Sequence, residues 1–296
     1  MNKIVFQIVV FLLKLISLLP FSIIYLISDG LFVLLYYVLK YRRKVVRDNL
    51  RNSFPEKSAD ELSVIEKSFY KFLADMILES VKSLTISAKE LNKRYKFENL
   101  EAITSHLENG RSVIAVSGHY GNWELGSLAI GLAIQEYDTL IVYKPLSDTN
   151  FDHLINSVRS RFGTTMVPMK QTYRKVAEYK GKGRPRVLVL VGDQTPTREE
   201  SRYFTNFLNQ ATAIFLGVEK VAVKSNDAII YFSINRIKRG YYLCVIKPLI
   251  DYPKDTKEFE ITNMHTSELE KLIREKPDYW LWSHKRWKFK PENISA

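Results

Sequence analysis

The sequence predicts an α/β fold, a sandwich built on a mixed central sheet, preceded by an N-terminal membrane-anchoring helix. Three observations carry that prediction. Short apolar runs of strand length alternate with stretches whose apolar residues recur at helical spacing, the pattern of a sheet covered by helices. The last two runs are separated by Lys238, Arg239 and Gly240, a hairpin signal that makes at least this pair antiparallel. Finally, the first 40 residues are far more apolar than the remainder.

Residues 4–13, 15–27 and 31–39 form an apolar zone interrupted by Gln7, Lys14, a few small polar residues and Asp29. Spanning the hydrocarbon takes about 20 apolar residues, and 4–27 reaches that length if Lys14 snorkels to the interface. A cleaved signal peptide would carry a shorter apolar core and a small-residue cleavage site, and no such site follows the first block. A single span and a shallow re-entrant hairpin both fit. The basic cluster Lys40, Arg42, Arg43, Lys44, Arg47 and Arg51 follows at once, and the positive-inside bias puts it on the cytoplasmic side with the rest of the chain. The expected division is an anchor over 1–40 and a catalytic domain over 41–296.

Residues 58–84 space Leu62, Ile65, Phe69, Phe72, Leu73, Met76 and Ile77 as an amphipathic helix does. Strands are then expected at 112–116, 139–143, 186–191, 228–234 and 241–246, and helices at 122–135, 148–162, 173–179, 210–225 and 257–275. No repeat, low-complexity tract, Walker-type phosphate loop or dinucleotide glycine fingerprint is present. The 44 Lys plus Arg against 32 Asp plus Glu give a net charge of +12, which favours anionic partners. The lone cysteine, Cys244, excludes an intramolecular disulfide, and no cluster has metal-ligand spacing, so no metal is expected.

The chemistry concentrates at 117–126, SGHYGNWELG, directly after the apolar run 113–116. His119 and Glu124 cannot share a helix face, because five residues rotate by about 140° beyond a full turn. With a strand before them and a turn at 118–121, His119 lies in the turn and Glu124 in the first turn of a helix N-capped by Asn122. The carboxylate is then expected to reach one imidazole nitrogen while the other faces a substrate hydroxyl. That is the logic of a catalytic triad without a protein nucleophile: the substrate alcohol attacks an activated electrophile, for which a thioester is well suited.

His119-Tyr-Gly-Asn-Trp-Glu124 resembles the His-x4-Asp/Glu motif of glycerolipid-type acyltransferases, in the version used by the bacterial late (secondary) acyltransferases of lipid A biosynthesis. Further blocks stand in that family's order. They are 142–145 (VYKP, where the family often has Arg in place of Lys144), Arg159-Ser-Arg161, Gly192-Asp193-Gln194, 206–212 leading to Gly217, and 277–288. The resemblance covers nearly the whole chain and implies a glycerolipid-acyltransferase-like sandwich.

It also implies the function. The family moves a fatty acyl chain, carried as the phosphopantetheine thioester of acyl carrier protein, to a hydroxyl of a Kdo-bearing lipid A precursor, with no tightly bound cofactor. An alternative acceptor is another glycolipid, aminolipid or glycerophospholipid. Carried over, His119 is the general base and Glu124 its orienting acid; Arg159, Arg161, Asp193, Gln194, Asn122 and Lys144 bind substrate. Backbone amides of 118–122 or a nearby Arg would hold the oxyanion. The small residues of 209–217 are expected in a loop entering a helix, where a lipid or pantetheine arm can approach. In 279–290, Trp280, Trp282 and Trp287 among Lys and Arg fit a membrane-facing edge, with His284 structural. The partners implied are acyl carrier protein, the lipid A precursor and membrane phospholipids, not nucleic acid, with the catalytic domain on the cytoplasmic face of the inner membrane.

Overall fold

The computed structural model describes residues 2–293. Its chain runs through α1 (Lys3–Leu18), α2 (Phe21–Val33), α3 (Arg43–Ser53), α4 (Ala59–Lys82) and α5 (Ala88–Arg94) before the first strand, β1 (Tyr95–Glu98). There follow α6 (Glu101–Glu108), β2 (Val113–Ser117), α7 (Trp123–Ala133), β3 (Asp138–Tyr143), α8 (Thr149–Arg159), β4 (Thr164–Pro168), α9 (Thr172–Gly181) and β5 (Arg186–Val191). A small hairpin, β6 (Phe204–Phe207) and β7 (Gln210–Ala213), leads to α10 (Gly217–Ser225), β8 (Ala228–Lys238), β9 (Tyr241–Ile250) and α11 (Glu260–Glu275).

Seven strands form one sheet in the order β1-β9-β8-β2-β5-β3-β4. All neighbours are parallel except β8 and β9, which turn at Arg239 and Gly240 as the hairpin signal required. The centre is β2 and β5, whose residues are buried almost throughout; strands covered on both faces read as continuous apolar runs, which is why both were visible in sequence. The edge strands β1 and β4 were not expected. Each is short and mixes polar residues with apolar ones, and β4 ends on Pro168, which an edge tolerates. The predicted helix over 210–225 and the loop over 209–217 are both corrected. Residues 210–213 pair with β6 across a turn at Leu208 and Asn209, both at positive φ, and α10 begins only at Gly217.

The apolar stretch 4–27 is not one helix, because Pro20 fixes the backbone between α1 and α2 and supplies no amide to continue the first. The segment long and apolar enough to cross a membrane is instead Phe21–Val38, 18 residues of mean hydropathy 1.8, which includes a π-helical turn at Leu34–Val38. Large apolar side chains stand exposed along both helices, among them Ile8, Phe11, Leu15, Leu26 and Val33. The opposite face of α2 is polar and tied down. Ser28 donates to Asp75 (2.6 Å), Tyr25 to Glu79 (2.9 Å), and Asp29 accepts from Arg239 of the β8–β9 turn (2.6 Å). Lys82 caps the end of α1 by donating to the Ser17 and Leu19 carbonyls.

Two acids on α4 gather these contacts. Asp75 also receives Arg236 and Arg239, and the wholly buried Glu79 receives Tyr242 (2.7 Å) and Asn122 (2.6 Å) in addition to Tyr25. Burial pushes the Glu79 carboxyl up, against the lowering effect of its three donors. Replacing it by Ala strands those donors, at about 1–3 kcal/mol for each buried group left unpaired. Glu79→Ala is therefore expected to lower stability by about 3 kcal/mol and Glu79→Gln by much less, read as thermal midpoints in detergent.

One buried and one half-buried imidazole make stability depend on pH. Burial is the main cause holding both His265 and His284 down to about 4, against a smaller raising effect of Asp193. Unfolded, each takes a proton near its ordinary value of 6.5, whereas folded it does so only near 4. Between these values the unfolded chain binds more protons, so stability is complete above about pH 6.5 and declines as pH falls towards 4, by on the order of 2–3 kcal/mol for His265 and by less for the partly exposed His284. Thermal melts from pH 7 to 4.5 are expected to fall steeply in the wild type and less steeply in His284→Gln.

Candidate functional site

Two strand ends build the centre. The sheet pairs Val113 with Val187 and Ser117 with Val191, residue for residue. His119 and Asp193, each two positions beyond those last partners, are therefore carried to the same place. The His119 Nδ1 lies 2.6 Å from Asp193 Oδ1, and its backbone amide donates to Oδ2 (2.9 Å). The Trp280 indole N–H donates to Oδ2 as well (2.8 Å).

Burial alone would raise the Asp193 carboxyl. The imidazole, the indole and the His119 amide overcome it and hold the group well below the usual carboxylate range. With Asp193 ionised, the shared proton belongs on Nδ1, which leaves the Nε2 lone pair as the base; the Gln194 amide nitrogen rests 3.1 Å from it. Two glycines permit the turn. A Cβ on Gly118 would stand 2.7 Å from a Leu269 methyl, and Gly121 has φ +64° with an Ile234 methyl 2.5 Å from where its Cβ would be.

The expectation that Glu124 braces the imidazole is corrected. The first turn of α7 aims Glu124 across to α8, where Arg159 grips it with two bonds (Nε–Oε2 2.9 Å, Nη2–Oε1 2.6 Å). Trp123 places its indole N–H 3.2 Å from Glu124 Oε1 and packs edge-on to the His119 ring. The imidazole's acid thus comes from a neighbouring strand, 74 residues away in sequence.

Asn122 and Arg161 are corrected too. Asn122 caps α7 as predicted, accepting from the Leu125 amide (2.9 Å), but it is fully buried and donates to Glu79, so it holds the turn and does not line the central cavity. Arg161 donates to the Ser83 and Ile86 carbonyls and so ties down the end of α4. Arg159, Gln194 and Lys144 do reach the central cavity, Lys144 from its exposed rim.

That cavity measures about 720 Å3, inside the range of about 300–1,000 Å3 common for small-molecule sites. His119, Glu124 and Arg159 line its polar part, and Phe97, Ile130, Ile141, Val189, Val221 and Phe232 give apolar walls. Gly217 and Phe215 line it as well, which places part of the small-residue segment where it was expected despite the changed secondary structure. Among the described residues no group of three His, Cys, Asp or Glu side chains is placed to hold a metal ion. Cys244 is buried and unpaired, and burial pushes its thiol up.

The C-terminal segment is not a membrane-facing edge. Trp280 and Trp282 are buried, Trp287 donates to Thr212 (2.7 Å), and the chain straps the turn that carries His119: Leu281 N donates to His119 O and Gly121 N to Tyr279 O. His284 is structural, accepting from the Thr195 amide. Trp280 is the site residue that sequence reasoning missed, having been read as a lipid contact.

Comparison with known proteins identifies the family. The chain is 25% identical over 280 residues to the lipid A biosynthesis lauroyltransferase of Escherichia coli K12, covering 94% of this chain and 89% of that one. It is 22% identical over 280 residues to the lipid A biosynthesis palmitoleoyltransferase of the same strain, with the same coverage. It is also 25% identical over 279 residues to a lipid A biosynthesis acyltransferase of Haemophilus influenzae, covering 93% and 87%. Residues 1–289 match the family described as bacterial lipid A biosynthesis acyltransferase. A chain matched over nearly its full length by that family is an acyl-transferring enzyme and belongs to the bacterial lipid A biosynthesis acyltransferase family.

Proposed function

We propose that this enzyme transfers a fatty acyl chain from the phosphopantetheine thioester of acyl carrier protein to a hydroxyl of a Kdo-bearing lipid A precursor, at the cytoplasmic face of the inner membrane. The observation that carries the reading is the His119–Asp193 pair, whose Nε2 opens on a largely apolar cavity of lipid-chain character. The net charge of +12 supports an acidic carrier as donor and a polyanionic acceptor. The exposed apolar faces of α1 and α2, followed by Lys40, Arg42, Lys44 and Arg51, support a domain seated on the cytoplasmic leaflet with membrane phospholipids around its anchor. This division assigns 1–40 to the anchor and 41–296 to catalysis.

In this mechanism Nε2 of His119 takes the proton of the acceptor hydroxyl as its oxygen attacks the thioester carbonyl. Asp193 fixes the tautomer and stabilises the imidazolium. Glu124 holds the Arg159 guanidinium by Nε and Nη2 at the cavity wall, and the N–H groups that remain donate to the oxyanion. The tetrahedral species collapses to the ester, and the departing thiolate takes the proton back from the imidazolium. No protein nucleophile and no tightly bound cofactor take part. Gln194 and Lys144 serve the acceptor at the cavity mouth.

Substituting His119→Ala is expected to lower kcat with an acyl carrier protein donor by about 10³-fold or more, and Asp193→Asn by about 10²–10³-fold, with folding retained. Glu124→Gln, which loosens Arg159, is expected to cost about 10²-fold. Activity within threefold of wild type in His119→Ala would refute the reading. Mass spectrometry of lipid A from a deletion strain tests the acceptor: loss of one acyl chain is expected, and an unchanged acyl number rejects it.

A further inference from the structure

A second, far smaller cavity adjoins the same strand ends. It measures about 10 Å3 and is lined by Ser117, Gly192 and Asp193, and by Tyr231, His265 and Arg286. Seven buried side-chain polar atoms lack a hydrogen-bond partner among the described residues, and four belong to this one place: Tyr231 Oη, His265 Nε2, and Nε and Nη1 of Arg286. Buried polar groups are paired as a rule, so a cluster of orphans around one hole marks an occupant.

Size and charge identify that occupant. About 10–15 Å3 holds one water, which needs two to four polar partners. Arg286 offers N–H donors, Tyr231 a hydroxyl that gives or accepts, and His265 an imidazole that burial keeps neutral down to about pH 4. Asp193 accepts one bond on Oδ1 and two on Oδ2, so Oδ1 retains a lone pair. Arg286 is 2% exposed; burial pushes it down to about 10, against a smaller raising effect of Asp193, and it stays cationic at neutral pH. Asp193 already supplies its countercharge, and a small anion here would set a second negative charge beside the carboxylate.

We infer that this cavity holds one ordered water bound by Arg286, Tyr231 and His265, and that through it Arg286 acts as a positioning residue that tempers the pull of Asp193 on the His119 proton. A buried carboxylate facing an imidazole with no cation behind it over-stabilises the imidazolium and removes the neutral base. The other charged and titratable groups facing His119 do not supply this balance. The Glu124–Arg159 pair across the cavity is neutral as a unit, and His265 from α11 and His284 from the C-terminal strap are uncharged at neutral pH. Arg286 is the buried cation behind the carboxylate.

The inference rests on His119 acting as the general base, but the water does not, so two measurements separate them. An atomic-resolution crystal structure of the full chain is expected to show a single water within about 3 Å of all three groups; an empty hole, or a bromide peak after a bromide soak, would overturn the assignment. In kcat/KM against pH, Arg286→Met is expected to shift the acid limb upward by about one unit and Arg286→Lys to restore it. If Arg286 only holds the Ala213 carbonyl (2.7 Å), both variants lower the thermal midpoint and leave the limb in place, which overturns the role. Should Arg286→Met not fold, Tyr231→Phe is expected to move the limb the same way by about half a unit with its thermal midpoint kept; an unmoved limb overturns the role equally. An active His119→Ala enzyme would sink the base assignment alone and leave the water to be judged by crystallography.

Discussion

The site depends on the parallel pairing of β2 with β5. Because Ser117 lies opposite Val191, the residues that follow each strand leave the sheet at the same level, and a histidine meets an aspartate at 2.6 Å. A slip of one residue along either strand would turn its side chains to the opposite face and part the two. The register is secure because both strands are buried on both faces, so a slip would disturb the packing of every side chain along the shared ladder. The C-terminal strap locks the same point from outside the sheet. Trp280 bonds Asp193 with its indole while the backbone on either side of it bonds the turn at 119–121.

A second network joins the turn that carries His119 to the apolar N-terminal helices. Glu79 receives the side chain that caps α7 and a tyrosine of α2, so one buried carboxyl contacts both the start of α7 and an apolar N-terminal helix. Asp75, one turn earlier, binds Ser28 of the same helix and two arginines of the β8–β9 arm. On the far side, Phe6 of α1 packs edge-on against Phe151 of α8, the helix that presents Arg159 to the cavity. The apolar N-terminal helices are therefore packed directly against the elements that wall the central cavity. They are not a tether on a flexible linker.

Much of this was legible in sequence, and the failures have physical causes. The central strands announced themselves as apolar runs, and the β8–β9 turn through its Arg-Gly pair. Edge strands β1 and β4 carried no such run, because half of each faces outward. The histidine was found from its turn glycines and the N-cap Asn122, but its acid was sought within the same motif. Nearness in sequence favoured Glu124; nearness in space, set by strand order, favoured Asp193. One signal could have corrected this: VIAVSGH at 113–119 and VLVLVGD at 187–193 share the plan of a strand, a glycine and a polar residue at one offset. Neighbouring parallel strands with that shared plan bring their last residues together. The tryptophans of the C-terminal segment misled for another reason, since an aromatic and basic composition is the same whether its rings meet lipid or fill a core.

The amide of Gln194, parked on His119 Nε2, governs what can reach that nitrogen. Whatever is to surrender a proton there must first push that amide aside. A long lipid acceptor brings many contacts with which to do so, and a lone solvent molecule brings almost none. On the proposed mechanism that amide therefore favours a bound acceptor over a solvent molecule as the group that gives up its proton.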